Sequence, residues 1–137
     1  MANEAVKVEG PYEVHDFTVA DGATISAMTL CTFSDPRTAV ASSAVGTAAA
    51  PIVWAGIAGT EKTASSGATN LGLITTGIHK LTAGQNVPAG SLVTLSGTNL
   101  IMPVLDADAV LSGAVIGKAL ETIAPAGTGE VKIGVLT

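Results

Sequence analysis

The chain has 137 residues, enough for one domain with a buried core. Charged residues make up only 12% against 47% hydrophobic, where a globular enzyme carries about a quarter charged, so much of the surface is expected to lie against other chains. The net charge is −5 and the only cations, Lys7, Arg37, Lys62, Lys80, Lys118 and Lys132, are scattered, which excludes the convergent basic patch that nucleic acid requires.

Residues 1–14 stand apart as an N-terminal arm. Glu4, Glu9 and Glu13 crowd this stretch, and Ala5-Val6-Lys7-Val8-Glu9 alternates apolar and polar before the breaker Gly10-Pro11. Such a run reads as a strand, and an isolated strand needs a neighbour in its own chain or another. Residues 15–137 read as a single all-β domain. Its predicted strands are Val14–Val19, Thr24–Thr32, Ile52–Ala58, Leu71–Thr75, Ile78–Leu81, Leu92–Ser96, Leu100–Val104, Ala114–Ala119 and Val131–Leu136. Between them lie Asp21-Gly22, Ser34-Asp35-Pro36, Ser65-Ser66-Gly67, Ala89-Gly90, Gly97-Thr98-Asn99 and Ala126-Gly127, residues that supply the backbone angles of tight turns. Turns at this spacing favour a compact β-barrel or sandwich over a βαβ fold. Thr38–Ala50, rich in Ala and Ser, is expected to be a long loop, with a short helix as the alternative, and Asp106–Leu111 one helical turn capped by Asp106.

The strands occur as two similar strand-turn repeats, 15–75 and 78–137. Gly56-Ile57-Ala58 aligns with Gly117-Lys118-Ala119, and the run from Gly67 to Thr75 with that from Gly129 to Thr137. Upstream, His15-Asp16-Phe17-Thr18 aligns with His79-Lys80-Leu81-Thr82, Asp21-Gly22 with Ala89-Gly90, and Ile25 to Leu30 with Leu92 to Leu95. The repeat implies two fused β units sharing a core.

Chemistry is hard to assemble from these residues. Gly56-Ile57-Ala58-Gly59-Thr60-Glu61-Lys62-Thr63 departs from the phosphate-binding loop at one position, where Glu61 replaces the second glycine; a carboxylate there repels phosphate, and no helix follows. His15 and His79 lack partners at metal-ligand spacing. Asp106 and Asp108 lack the glycine and closing glutamate of a calcium loop. Cys31 lies in a strand-like run without an adjacent base, and as the only cysteine it forms no internal disulfide. No catalytic residue, metal or cofactor is expected, and no small-molecule substrate. Trp54 is an anchor either of the core or of an interface. Arg37 is a solvated loop charge or half of an intersubunit ion pair. The start Met1-Ala2-Asn3-Glu4 lacks the basic region of a signal peptide, and Ala44–Gly59 is broken by Gly46, Pro51 and Gly56, so neither export nor a membrane span is expected, and synthesis falls to a reducing cytoplasm.

The C-terminal half has a cadence: Val87-Pro88-Ala89-Gly90-Ser91-Leu92-Val93-Thr94-Leu95, then Val115-Ile116-Gly117-Lys118-Ala119, then Gly129-Glu130-Val131-Lys132-Ile133-Gly134-Val135-Leu136. It resembles the small capsid decoration, or cement, proteins of tailed phages, well over 78–137 and more weakly over 15–75. The resemblance implies a structural virion protein on the outer capsid surface, made in the host cytoplasm. It would bridge neighbouring major capsid protein subunits against the pressure of packaged DNA, as a homotrimer with a dimer as the alternative. It implies no enzymatic site. Val6, Val8, Pro11, Tyr12, Arg37 and Trp54 are then the candidate capsid or subunit interface. The alternatives are another virion accessory such as a fibre, spike or tail component, or a small β-barrel that binds a ligand.

Overall fold

The computed structural model describes residues 3–42, 53–104, 110 and 113–134. The elements with described bounds are all β-strands: β1 (Val6–Glu9), β2 (Val14–Thr18), β3 (Leu30–Asp35), β4 (Thr38–Ala41), β5 (Trp54–Ala58), β6 (Asn70–Ile74), β7 (Gly77–Ala83), β8 (Leu92–Gly97), β9 (Leu100–Pro103), β10 (Gly117–Ala119) and β11 (Thr128–Ile133). Side chains alternate across a strand, and β11 shows why this sequence forms one: Gly129, Val131 and Ile133 face inward while Thr128 and Lys132 face solvent.

The strands make two barrels. In barrel one the closed order is β2-β4-β3-β5-β6, with β6 pairing back to β2. In barrel two the order is β7-β11-β10-β8-β9, closed by the parallel pairing of β7 with β9. The same pairings recur: β2 with β6 and β7 with β11 antiparallel, β3 with β4 and β8 with β9 antiparallel, and one parallel contact each, β2 with β4 and β7 with β9. Closing each sheet leaves few free edges. The fold is therefore the expected all-β barrel built from two repeats, with each repeat closing on itself.

Register gives the true equivalences. His15 lies opposite Leu73 and His79 opposite Val131; Ala58 lies opposite Leu73 and Ala119 opposite Val131. His15 and His79 are thus equivalent, as are Ala58 and Ala119, and the sequence alignment holds there. It is corrected in two places. Leu73 matches Val131, not Val135, so the last strand had slipped by four. The isolated bridges Ile25↔Lys62 and Val87↔Ile123 match each other, so Ile25 corresponds to Val87, Met28 to Gly90, Leu30 to Leu92 and Arg37 to Asn99, all at one spacing. Asp21-Gly22 is not the counterpart of Ala89-Gly90.

Other expectations shift locally. The predicted strand Thr24–Thr32 resolves into the Ile25 bridge, a turn with Met28 at a left-handed φ of 66°, and β3 starting at Leu30. The expected loop Thr38–Ala50 begins with a strand, β4, because the β3–β4 hairpin turns over Pro36 and Arg37 rather than opening a loop. The rest of that stretch, and the proposed turn at Asp106–Leu111 except Val110, fall outside the described residues.

One apolar core joins the barrels. Leu30, Ile57 and Ile74 from barrel one are buried together with Leu81, Leu95, Ile116 and Ile133 from barrel two. Polar seams cross the same junction: the Leu30 N–H donates to Asn99 Oδ1 (2.9 Å) and the Asn99 N–H to Ser42 Oγ (3.0 Å), both buried. A second cluster around Phe17, Ile25, Cys31 and Leu71 fills barrel one. The arm's strand, β1, pairs antiparallel with β7 of its own chain, setting Val6 opposite Lys80 and Lys7 opposite His79.

Candidate binding groove

The most distinctive concavity is an open groove of about 330 Å³ on barrel one, lined by His15, Phe17, Phe33, Arg37 and Thr75. β2 supplies His15 and Phe17 on alternate residues, which places both on one face. β3 supplies Phe33, whose ring meets Phe17 edge-to-face at 5.3 Å between centroids. Arg37 sits at the β3–β4 tip with a φ of 50°, donates from Nε to the Asp16 carbonyl at 2.8 Å and lays its guanidinium 5.7 Å from the centre of the Phe17 ring. Both phenylalanines of the chain are here. The groove offers apolar contact and hydrogen-bond donors; among the described residues that line it there is no carboxylate and no thiol.

The sequence-derived interface residues are not brought together. Val6 and Val8 project from the exposed β1. The Pro11 carbonyl accepts a hydrogen bond from Thr76 Oγ1 at 3.1 Å. Tyr12 is half-buried on the joint core, its ring 5.3 Å from that of His79 and directly over Gly77. A side chain at Gly77 would strike the Tyr12 ring at 2.6 Å, which is the physical reason for that glycine. A second open cleft runs beside this segment, from Gly10 and Pro11 to Leu120 and Lys132. Trp54 is half-buried on the joint core, and its backbone N–H donates to the Gly113 carbonyl at 3.0 Å. Of the six, only Arg37 lines the groove.

The residues weighed as chemistry take structural roles. Lys62 is 2% exposed and its ammonium donates to the carbonyls of Asp21 (2.8 Å), Thr63 (2.9 Å) and Ala23 (3.4 Å), with the Asp21 carboxylate 3.8 Å away. Its donors are spent inside the barrel, so the loop from Gly56 to Thr63 has no lysine to offer a phosphate. His79 is fully buried; Nε2 lies 3.2 Å from the Thr76 carbonyl and Nδ1 has no protein partner. Burial lowers its pKa below the ordinary imidazole value; the Thr76 carbonyl opposes this and the charge of Lys7 adds to it. Burial pushes the Cys31 thiol up to about 12, so it stays protonated and inert. The Glu121 carboxylate accepts the backbone N–H of Glu130 at 3.1 Å, a local tie in the turn before β11. Among the described residues no three His, Cys, Asp or Glu side chains converge to hold a metal, and no helix is long and apolar enough to cross a membrane.

Sequence reasoning missed Phe17, Phe33 and Thr75 as groove residues. The available signal was the repeat itself: with correct register, Phe17 and Phe33 stand where the second repeat has Leu81 and Leu95.

No family model matches the chain, and no curated protein resembles it in sequence. Among solved structures it is similar to the head fiber gp8.5 N base of bacteriophage phi29, with a TM-score of 0.55 at 13% identity, over 90% of this chain and 94% of that one. At that identity the likeness establishes a shared fold across almost the whole of both chains.

Proposed function

We propose that this chain is a non-catalytic structural protein of a phage virion, an accessory body seated on the head in the manner of a fibre base. One observation carries the reading: the fold is similar to that of a phage head fiber base over 90% of this chain and 94% of that one. One other feature supports it: the low charged content suits a surface that meets other chains. The major capsid protein is the natural partner, and further copies of the chain the second.

The finer reading, a cement that braces neighbouring capsid subunits, is favoured by the C-terminal cadence that β8, β10 and β11 carry. The two readings separate in one experiment. Purified chain is sedimented with empty heads of its phage, and the heads are then heated. Saturable binding at a fixed copy number supports the head-surface assignment. A higher rupture temperature on binding favours cement; an unchanged one favours a fibre base. A chain that stays in the supernatant at every concentration overturns both.

A further inference from the structure

The surface that forms the groove on barrel one exists a second time, closed. By register, His15 corresponds to His79, Phe17 to Leu81, Phe33 to Leu95, Arg37 to Asn99 and Thr75 to Ile133. On barrel two none of these five is more than 2% exposed. On barrel one His15 and Arg37 are exposed, and Phe33 is 39% exposed.

What closes the surface on barrel two is a strand and an apolar body. β1 runs antiparallel along Ile78, His79 and Lys80, on the side of β7 away from β11. Behind it Ala5, Tyr12 and Leu30 enter the core with Leu81 and Leu95, and the Leu30 N–H reaches Asn99. The four residues of β1 are all exposed, so its own pairing is mainly main-chain, with Ala5 and Tyr12 anchoring its ends. On barrel one the equivalent stretch of β2, Val14 to Asp16, pairs with β6 on one side only, and its other edge is met by the Arg37 side chain, whose Nε holds the Asp16 carbonyl at 2.8 Å. The contact of β2 with β4 is the single pair Thr18↔Thr38, and no strand among the described residues lies beside Val14–Asp16 on that edge.

We infer that the barrel-one groove is a strand-acceptor site for another polypeptide. An extended segment adds antiparallel to β2 along Val14–Asp16, places an apolar side chain on Phe17 and Phe33, and presents a carboxylate to Arg37. Strand addition draws affinity from main-chain hydrogen bonds and specificity from alternate side chains, which is what β1 does on β7. The carboxylate follows from an inversion at the tip. Asn99 accepts an N–H from its cover, whereas a guanidinium only donates, and carboxylates match its paired N–H groups. A strand swapped from a second copy fits less well: its β1 would first have to leave β7 and draw Ala5 out of the joint core. The inference stands on the two barrels alone and does not require the virion assignment.

The test uses the full chain and a displayed library of random ten-residue peptides. Selected peptides are titrated into isotope-labelled protein and followed by amide NMR. Expected are sequences that alternate apolar and polar with an Asp or Glu, slowed exchange at the Val14 and Asp16 amides, and affinity reduced at least tenfold by Phe33→Ser. Arg37→Gln is expected to weaken the acidic peptides and spare versions with Asp or Glu changed to Asn or Gln. The unchanged spectrum of either variant away from the groove shows that it folds. Binders that leave the Val14–Asp16 amides unmoved, binding indifferent to both variants, or a library that yields none would overturn the site. Concentration-dependent dimers of the chain that Phe33→Ser abolishes would assign the groove to a second copy and overturn the foreign strand.

Discussion

Barrel one and barrel two share their strand pairing, yet opposite chemistries close one end. The antiparallel bridge Val87↔Ile123 in barrel two is apolar on both sides, both side chains are buried, and Gly129 leaves room for Ile123. The equivalent bridge in barrel one is Ile25↔Lys62. There a buried ammonium collects the carbonyls of Asp21, Ala23 and Thr63, and Asp21 also takes the Gly67 N–H on Oδ1 at 2.7 Å. The topology therefore does not dictate the polarity of its plug; the loop does, by whether it turns its carbonyls inward. Buried polar groups are tolerated when every one finds a partner.

Exchanging the plugs breaks this comparison in an ordered way. Ile123→Lys is expected to have the largest effect, a loss of about 4 kcal/mol in urea unfolding, because it buries a charge where no carbonyl cluster awaits it. Lys62→Ile should cost less, about 2 kcal/mol. It keeps the apolar contact with the barrel interior but leaves three carbonyls to find water, and the half-exposed Asp21 shows that water is close. Equal losses would mean that the loop around Asp21 contributes nothing to accommodating Lys62.

A close approach of strands gives a third contrast. Gly56 and Gly117 are equivalent, and each faces the last strand of its barrel. A Cβ at Gly117 would fall on the Lys132 carbonyl and within 2.7 Å of Ile133 Cα, all backbone; at Gly56 it would meet Leu73 Cβ at 2.9 Å and the Ile74 carbonyl at 3.0 Å. Gly117→Ala is expected to cost about 2 kcal/mol and Gly56→Ala about 1, read as midpoint shifts in the same unfolding series. The reverse order would show that β10 can move away from β11 more easily than β5 from β6.

The sequence made these equivalences partly legible, and the errors have physical causes. The pairs His15/His79 and Gly56/Gly117 were visible because histidine is rare and glycine is needed where strands approach. The final strand slipped by four because Leu71-Gly72-Leu73 and Val131-Lys132-Ile133 repeat with period two, so a shift of an even number of residues preserves the pattern. The Ile25/Val87 match was hidden by a turn. Gly90 takes φ of 85° and announces it; Met28 takes 66° with no such sign, so Asp21-Gly22 drew the alignment instead. β4 was lost because Thr38–Ala41 is short and alanine-rich, and only its pairing with β3 makes it a strand. The closure of each repeat rests on parallel contacts of one and two residue pairs, which no local pattern records. The groove was illegible for the same reason: it is defined by what fails to cover β2.

The equivalent histidines sharpen the comparison through pH. His79 is buried and its pKa is lowered, so the unfolded chain takes up its proton first as pH falls. Stability from this group is fully present above the unfolded value, about 6.5, and is lost as pH drops below it toward the folded value. Wild-type protein should therefore lose stability between pH 7 and 5, and His79→Gln should flatten that part of the slope. An unaltered slope would show that proton uptake elsewhere governs the acid side.

The smallest expected effect is at Phe33, and it is the one that bears on the groove. Its barrel-two counterpart, Leu95, is 2% exposed under Leu30 and the rest of the joint core, so it is held by the fold. Phe33 is 39% exposed and touches Phe17 by an edge. Phe33→Leu, which gives barrel one the residue of barrel two, should cost under about 1 kcal/mol, the value of the aromatic contact. Unfolding in urea measures it. A loss near that of a core truncation, about 3 kcal/mol, would mean that Phe33 is already spent on barrel one's own stability. A small loss leaves its apolar area without a role inside the chain, and contact with another polypeptide is the role the closed copy of the same surface displays.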